Sequence, residues 1–183
     1  MAGSPDSDAR LLSRLAAGEV DAAAELYDRC SAHVYALARR ILRDDGEAED
    51  VVQEVFAQAW RTAARYQSGR ATVVGWLLMM TRTRAIDRIR ARRVRPDLLA
   101  GSVPDVLPSA EAQPSDLLLA SEQADRVRSA LLGLPPPQRS AIEMAYYEGM
   151  TQAEIAQRLS EPLGTVKTRI RAALTALRLR LRG

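Results

Sequence analysis

Between Val94 and Ser115 the chain carries Pro96, Pro104, Pro108 and Pro114, with Gly101 and interspersed Ser and Asp residues. Proline lacks an amide N–H and its ring clashes with the preceding helical turn, so no continuous helix runs through such a stretch. On length alone, 183 residues would suit one medium domain or two small ones. The broken stretch decides for two. The expected organisation is a polar, disordered N-terminus over residues 1–10, a first domain over 11–93, a linker over 94–115 and a second domain over 116–183.

On either side of the linker the apolar residues recur at helical spacing. Leu11, Leu12, Leu15, Leu26, Tyr27, Val34, Leu37, Ala38, Ile41 and Leu42 fit two helices with a break at Gly18-Glu19. Asp44-Asp45-Gly46 reads as a turn, after which Val51, Val52, Val55, Phe56, Ala59 and Trp60 mark a third helix over 48–65. After a polar loop, Val73, Trp76, Leu77, Met80, Ile86 and Ile89 form the inward stripe of a fourth helix over 72–93. The second domain reads as a helix to Leu132, a pause over Gly133–Pro137, a helix over 138–147 and two further helices from Thr151 onward. No sustained alternation of Val, Ile and Thr appears and only 4% of residues are aromatic, so the fold class is all-α.

The sharpest local pattern begins at Thr151-Gln152-Ala153-Glu154, a capping box in which the Thr hydroxyl and Glu carboxylate satisfy the open backbone donors of a helix start. Ser160-Glu161-Pro162-Leu163-Gly164 makes a turn, and a second helix is expected from about Thr165 to Leu181. On it Val166, Ile170, Ala173, Leu174 and Leu177 share one face, while Lys167, Thr168 and Arg171 point away. A capped helix, a short turn and a second helix with a basic outer face make a helix-turn-helix suited to the major groove. Arginine can grip a guanine edge with two hydrogen bonds, and Lys or Arg can also neutralise phosphates without reading sequence.

The first domain carries two opposed charge runs. Asp44, Asp45, Glu47, Glu49, Asp50 and Glu54 place six acids in eleven positions, a patch that repels DNA within about a Debye length of 8 Å and so suits a protein partner. Asp50, Gln53 and Glu54 share a helix surface opposite Val51, Val55 and Phe56. Conversely Arg82, Arg84, Arg88, Arg90, Arg92, Arg93 and Arg95 put seven positive charges in fourteen residues against the single acid Asp87, a footprint for phosphates. Tyr66 and the loop from Gln67 to Ala71 precede that helix, where an unpaired base could be held by stacking and hydrogen bonds.

Other classes of function find little material. Cys30 is the only cysteine and His33 the only histidine, so no internal disulfide, metal cage or catalytic triad is expected, and no glycine-rich phosphate loop occurs. No cofactor, metal or small-molecule substrate is called for, and the protein is read as a binding factor and not an enzyme. No stretch reaches the roughly 18 apolar residues that span a bilayer, so a soluble cytoplasmic protein is expected.

Taken together, Ala48-Glu49-Asp50-Val51-Val52-Gln53-Glu54-Val55-Phe56, Gly75-Trp76-Leu77-Leu78 and Arg84-Ala85-Ile86-Asp87-Arg88-Ile89-Arg90 closely resemble the sigma-2 domain of extracytoplasmic-function sigma factors. Leu134-Pro135-Pro136-Pro137-Gln138-Arg139, Tyr147-Glu148-Gly149-Met150-Thr151, Glu154-Ile155-Ala156 and Gly164-Thr165-Val166-Lys167-Thr168-Arg169 resemble the sigma-4 domain of the same group. The resemblance implies that Asp50, Gln53 and Glu54 dock on the clamp-helix coiled coil of the largest subunit of core RNA polymerase. It implies that Tyr66 and Gln67 lie where a base flipped from the minus-10 element is captured, with Arg84, Arg88 and Arg90 on the adjacent backbone. It places Lys167, Thr168 and Arg171 on the duplex minus-35 element with Arg169 on phosphate, sends the linker toward the RNA exit path, and makes an anti-sigma protein an expected partner. The chain departs from the group at Thr83, where Asn is frequent, and at Ser160-Glu161, where Gly followed by Val or Ile is frequent.

A dimeric helix-turn-helix regulator acting without core polymerase is the alternative. It accounts for residues 151–181 and leaves the acid-then-arginine arrangement of the first domain unexplained.

Overall fold

In the computed structural model of the chain, residues 5–67, 69–94 and 118–182 are described. Among them lie eight α-helices and one 3-10 turn, and no strand. They fall into two compact units, one ending at Val94 and the other lying beyond it. Apart from Val94, the proline-broken stretch lies outside the described residues.

The first unit holds α1 (Pro5–Ala16), α2 (Val20–Leu42), α3 (Asp45–Thr62), a 3-10 turn (Ala63–Arg65) and α4 (Val73–Val94). The expectation of a disordered N-terminus over 1–10 is corrected from Pro5 onward. Apolar residues begin only at Leu11, but the polar first turns are held by Asp8, which is buried and accepts a 2.7 Å bond from Arg29 of α2. Gly18, at φ 84, separates α1 from α2 in a conformation that glycine adopts without steric cost. Asp44-Asp45-Gly46 is not a free turn: Asp44 is the N-cap, its carboxylate accepting the Glu47 N–H at 2.8 Å, and Asp45 and Gly46 are already helical.

Helix α2 packs against both α3 and α4, and α1 closes the bundle over α2 and the 3-10 turn. Leu15, Leu26, Val34, Val51, Val55, Val73 and Leu77 are fully buried, each contributing about 1.5–3 kcal/mol by leaving water. Thr81, the other buried polar residue among those described, satisfies its hydroxyl by donating to the Leu77 carbonyl at 2.8 Å. Trp60, near the end of α3, stays 46% exposed.

The second unit holds α5 (Leu118–Leu132), α6 (Pro136–Tyr147), α7 (Gln152–Leu159) and α8 (Leu163–Arg182), with α8 packing on the other three. The expected pause over Gly133–Pro137 is shorter than the prolines suggested. Pro136 and Pro137 occupy the first two positions of α6, where no helical partner for an N–H exists, and the Pro135 carbonyl accepts from Gln138 and Arg139 at 2.9 and 3.0 Å. Ala141, Ile155, Ala156, Val166 and Ile170 form one buried cluster; Leu134, Ile142 and Ala173 form another. Leu174, expected inward, is 46% exposed.

Candidate nucleic-acid interface

The acidic run of α3 is largely occupied by internal partners. Asp45 accepts from the Tyr35 hydroxyl at 2.8 Å and from Arg39, bonds that hold its carboxyl below the usual range. Glu47 pairs with Arg92. Glu54 is held from both sides: Arg88 reaches one carboxylate oxygen at 2.7 Å and Arg84 the other at 3.3 Å. Arg88 also donates to the Glu47 carbonyl at 3.0 Å and stands 3.7 Å from Asp50, while Arg84 donates to Gln58 Oε1 at 3.0 Å. Asp50 and Gln53 remain exposed, the Asp50 side chain at 64%.

The two charge runs assigned to different partners therefore meet. The structure brings Asp50, Glu54, Arg84 and Arg88 into one ladder between α3 and α4, with Gln53 beside it on α3 and Arg90 exposed on α4. Gln58 and Glu47, which sequence reading did not single out as partners, complete the ladder. Only their helical spacing from Glu54 pointed to them, since 58 and 47 lie one and two turns away on α3.

Tyr66 is half-buried, and its hydroxyl donates to the Ala71 carbonyl at 2.8 Å, stapling the loop that leads into α4. Its ring lies 5.4 Å from that of Trp76, tilted by 57°, and burial raises its pKa. The Gln67 carbonyl accepts from the Arg70 N–H at 3.0 Å and the Gln67 side chain is exposed. Thr72 then opens α4, its hydroxyl accepting from the Gly75 N–H at 3.1 Å. Tyr66 and Trp76 thus place an aromatic wall beside the start of α4.

In the second unit the capping box forms as the sequence predicts. The Thr151 N–H donates to Glu154 at 2.6 Å, and the Glu154 N–H donates to Thr151 Oγ1 at 3.2 Å. Ser160 ends α7 at φ 53, in the left-handed region, and the following Glu161 N–H reaches the Ala156 carbonyl at 2.9 Å. Lys167, Thr168 and Arg171 all lie exposed on α8, with the Thr168 hydroxyl donating to Gly164 at 2.9 Å. Arg169 instead is half-buried and paired with Glu161 in the turn. An open groove beside Lys167 and Arg171 is also lined by Gln152, Leu174 and Arg178. Gln152 was missed as a neighbour of this face. Its place as the first residue of the first helix was the available signal, because that end of a helix-turn-helix approaches the backbone.

The Sigma-70 region 2 family model matches residues 26–95 and the Sigma-70, region 4 model matches 124–177. A Mycobacterium ulcerans protein named ECF RNA polymerase sigma factor SigK is 40% identical, over 96% of this chain and 94% of its own length. The chain belongs to the extracytoplasmic-function sigma factor family. A second SigK of this family, from Mycolicibacterium vanbaalenii, is 38% identical over 92% of this chain and 86% of its own. Rhodobacter sphaeroides SigE, solved in complex with the anti-sigma ChrR, is 25% identical, covering 96% of this chain and 99% of that one at a TM-score of 0.46. This sigma factor is accordingly an all-helical, DNA-binding transcription initiation factor. Among the described residues no helix is long and apolar enough to cross a membrane.

Proposed function

We propose that this chain joins core RNA polymerase in the cytoplasm and directs it to promoters with two separated elements, acting by binding and by helping to open DNA. Family membership together with the two distinct basic surfaces carries this reading. Asp50, Gln53 and Glu54 form the docking strip for polymerase, with Asp50 and Gln53 the most accessible of the three. Tyr66 and Gln67 line the corner for an unstacked minus-10 base, and Arg84, Arg88 and Arg90 hold the neighbouring strand. Unstacking a base costs a few kcal/mol, which the aromatic wall and arginine contacts offset.

On α8, Lys167, Thr168 and Arg171 face the duplex minus-35 element, where one good bidentate contact gives about 1–3 kcal/mol of discrimination. Arg169 supports this surface: its pairing with Glu161 ties α8 to the turn, and a DNA phosphate is the further partner proposed for its guanidinium. An anti-sigma protein covering these surfaces is the expected regulator.

The experiment is a binding assay with purified core polymerase. Asp50→Lys with Gln53→Ala should weaken core binding at least tenfold, the equivalent of about 1.4 kcal/mol, whereas Arg171→Ala should leave it unchanged. Equal core affinity for the docking variant and the unaltered chain would reject the docking strip.

A further inference from the structure

The arrangement of Glu54 assigns it a second task. Its two carboxylate oxygens are each taken by a different arginine, Arg88 at 2.7 Å and Arg84 at 3.3 Å, reaching across from a helix 30 to 34 residues later in the chain. Two guanidinium groups converging on two oxygens of one anion is the recognition pattern that arginine also uses for a phosphate. Both arginines have further anchors that aim them at this point: Gln58 Oε1 holds Arg84 and the Glu47 carbonyl holds Arg88. The ladder is only partly buried, with the Arg88 side chain 24% exposed and that of Glu54 41% exposed, so an external anion can reach it.

We infer that Glu54 is an internal stand-in for a DNA phosphate, occupying the Arg84–Arg88 fork in the free protein so that a strand must displace it. The inference rests on the proposed role of Arg84 and Arg88 toward the strand. It follows that any partner drawing Glu54 or Asp50 away from Arg88 raises affinity for the strand, and that the strand raises affinity for that partner by the same factor. The surface that docks protein and the surface that holds DNA are thus linked through one carboxylate. Half-exposed ion pairs are individually weak, so the gate is moderate and easily opened.

The test is fluorescence anisotropy at low salt with the full chain and a labelled mixed-sequence single-stranded DNA, with thermal unfolding as a check on folding. Glu54→Gln should tighten strand binding about fivefold to tenfold. Glu49→Gln, an exposed site on the same helix with the same change of charge, should alter it less than twofold. Adding Arg84→Gln and Arg88→Gln to Glu54→Gln should abolish the gain. Equal gains in Glu54→Gln and Glu49→Gln, or no gain in a folded Glu54→Gln protein, would overturn the inference.

A second variant keeps the idea testable if Glu54→Gln fails to fold. Arg88→Gln frees Asp50 and leaves Glu54 held by Arg84 alone, so its affinity for core polymerase should rise severalfold; an unchanged or weaker affinity would count against the gate. The strand-binding measurement contains no polymerase, so a failed docking strip and a failed gate give separate signatures.

Discussion

Ser160→Gly should stabilise the second unit, reversing the usual effect of placing glycine beside a helix. Ser160 sits at φ 53 and ψ 41, in the left-handed region, at the end of α7. A side chain there brings Cβ against the following carbonyl and costs about 1–2 kcal/mol, a cost that glycine does not carry. Glycine adds unfolded-chain entropy worth about 0.5–1 kcal/mol in the opposite direction. The backbone bonds from Ser160 to the Gln157 carbonyl and from Glu161 to the Ala156 carbonyl do not involve the side chain and persist. The net gain is about 0.5–1 kcal/mol, which for a domain of this size raises Tm by about 3–6 °C. Differential scanning calorimetry of the full chain reads this directly, with Ser160→Ala as the control. Alanine keeps the strained conformation and should leave Tm nearly unchanged, whereas Ser160→Val should lower it. A fall in Tm for Ser160→Gly would contradict the backbone-strain argument, and equal falls for Ser160→Gly and Ser160→Ala would mean that the Ser side chain holds the turn.

Four further outcomes rest on the same geometry. Burial pushes the Cys30 thiol from its ordinary 9.0 up to about 11, so the native protein should resist thiol reagents at pH 8 and react on unfolding. Because the folded pKa lies above the unfolded one, the contribution of Cys30 to stability should be intact below about pH 9 and decline by about 2–3 kcal/mol as pH rises to 11; comparing denaturant midpoints of the chain with those of Cys30→Ser checks this. Tyr66→Phe removes the bond to the Ala71 carbonyl and should cost the first unit about 0.5–1.5 kcal/mol, seen as faster amide exchange over residues 66–72. Arg171→Ala should weaken duplex minus-35 binding by about 1–3 kcal/mol in electrophoretic or anisotropy titrations while core binding holds, and a loss of core affinity would contradict the separation of surfaces.

The parts of this fold legible in the sequence are those set by neighbours along the chain. The Gly18 break, the Thr151 to Glu154 capping box and the run of Val51, Val52 and Val55 depend on local spacing and appear where expected. Leu174 was misassigned because helical period fixes an angle on a helix and not how far the neighbouring helices extend over it. Pro136 and Pro137 read as breakers, yet proline in a first turn loses no bond. The start of α1 at Pro5 and the Glu54 ladder were hidden for a different reason. Asp8 meets Arg29 and Glu54 meets Arg84 and Arg88 only after the chain folds back across 21 to 34 residues. The charge runs were visible as separate surfaces; that they neutralise one another is a tertiary fact.

Promoter recognition is tested by transcription in vitro with purified bacterial core polymerase, with and without this protein, on a library of promoter-sized genomic fragments with the starts mapped. Discrete starts should appear that depend on the protein, share two spaced motifs and weaken with Asp50→Lys or Arg171→Ala. Duplex binding by the protein with no stimulation of core polymerase would contradict this and leave the dimeric regulator as the better description.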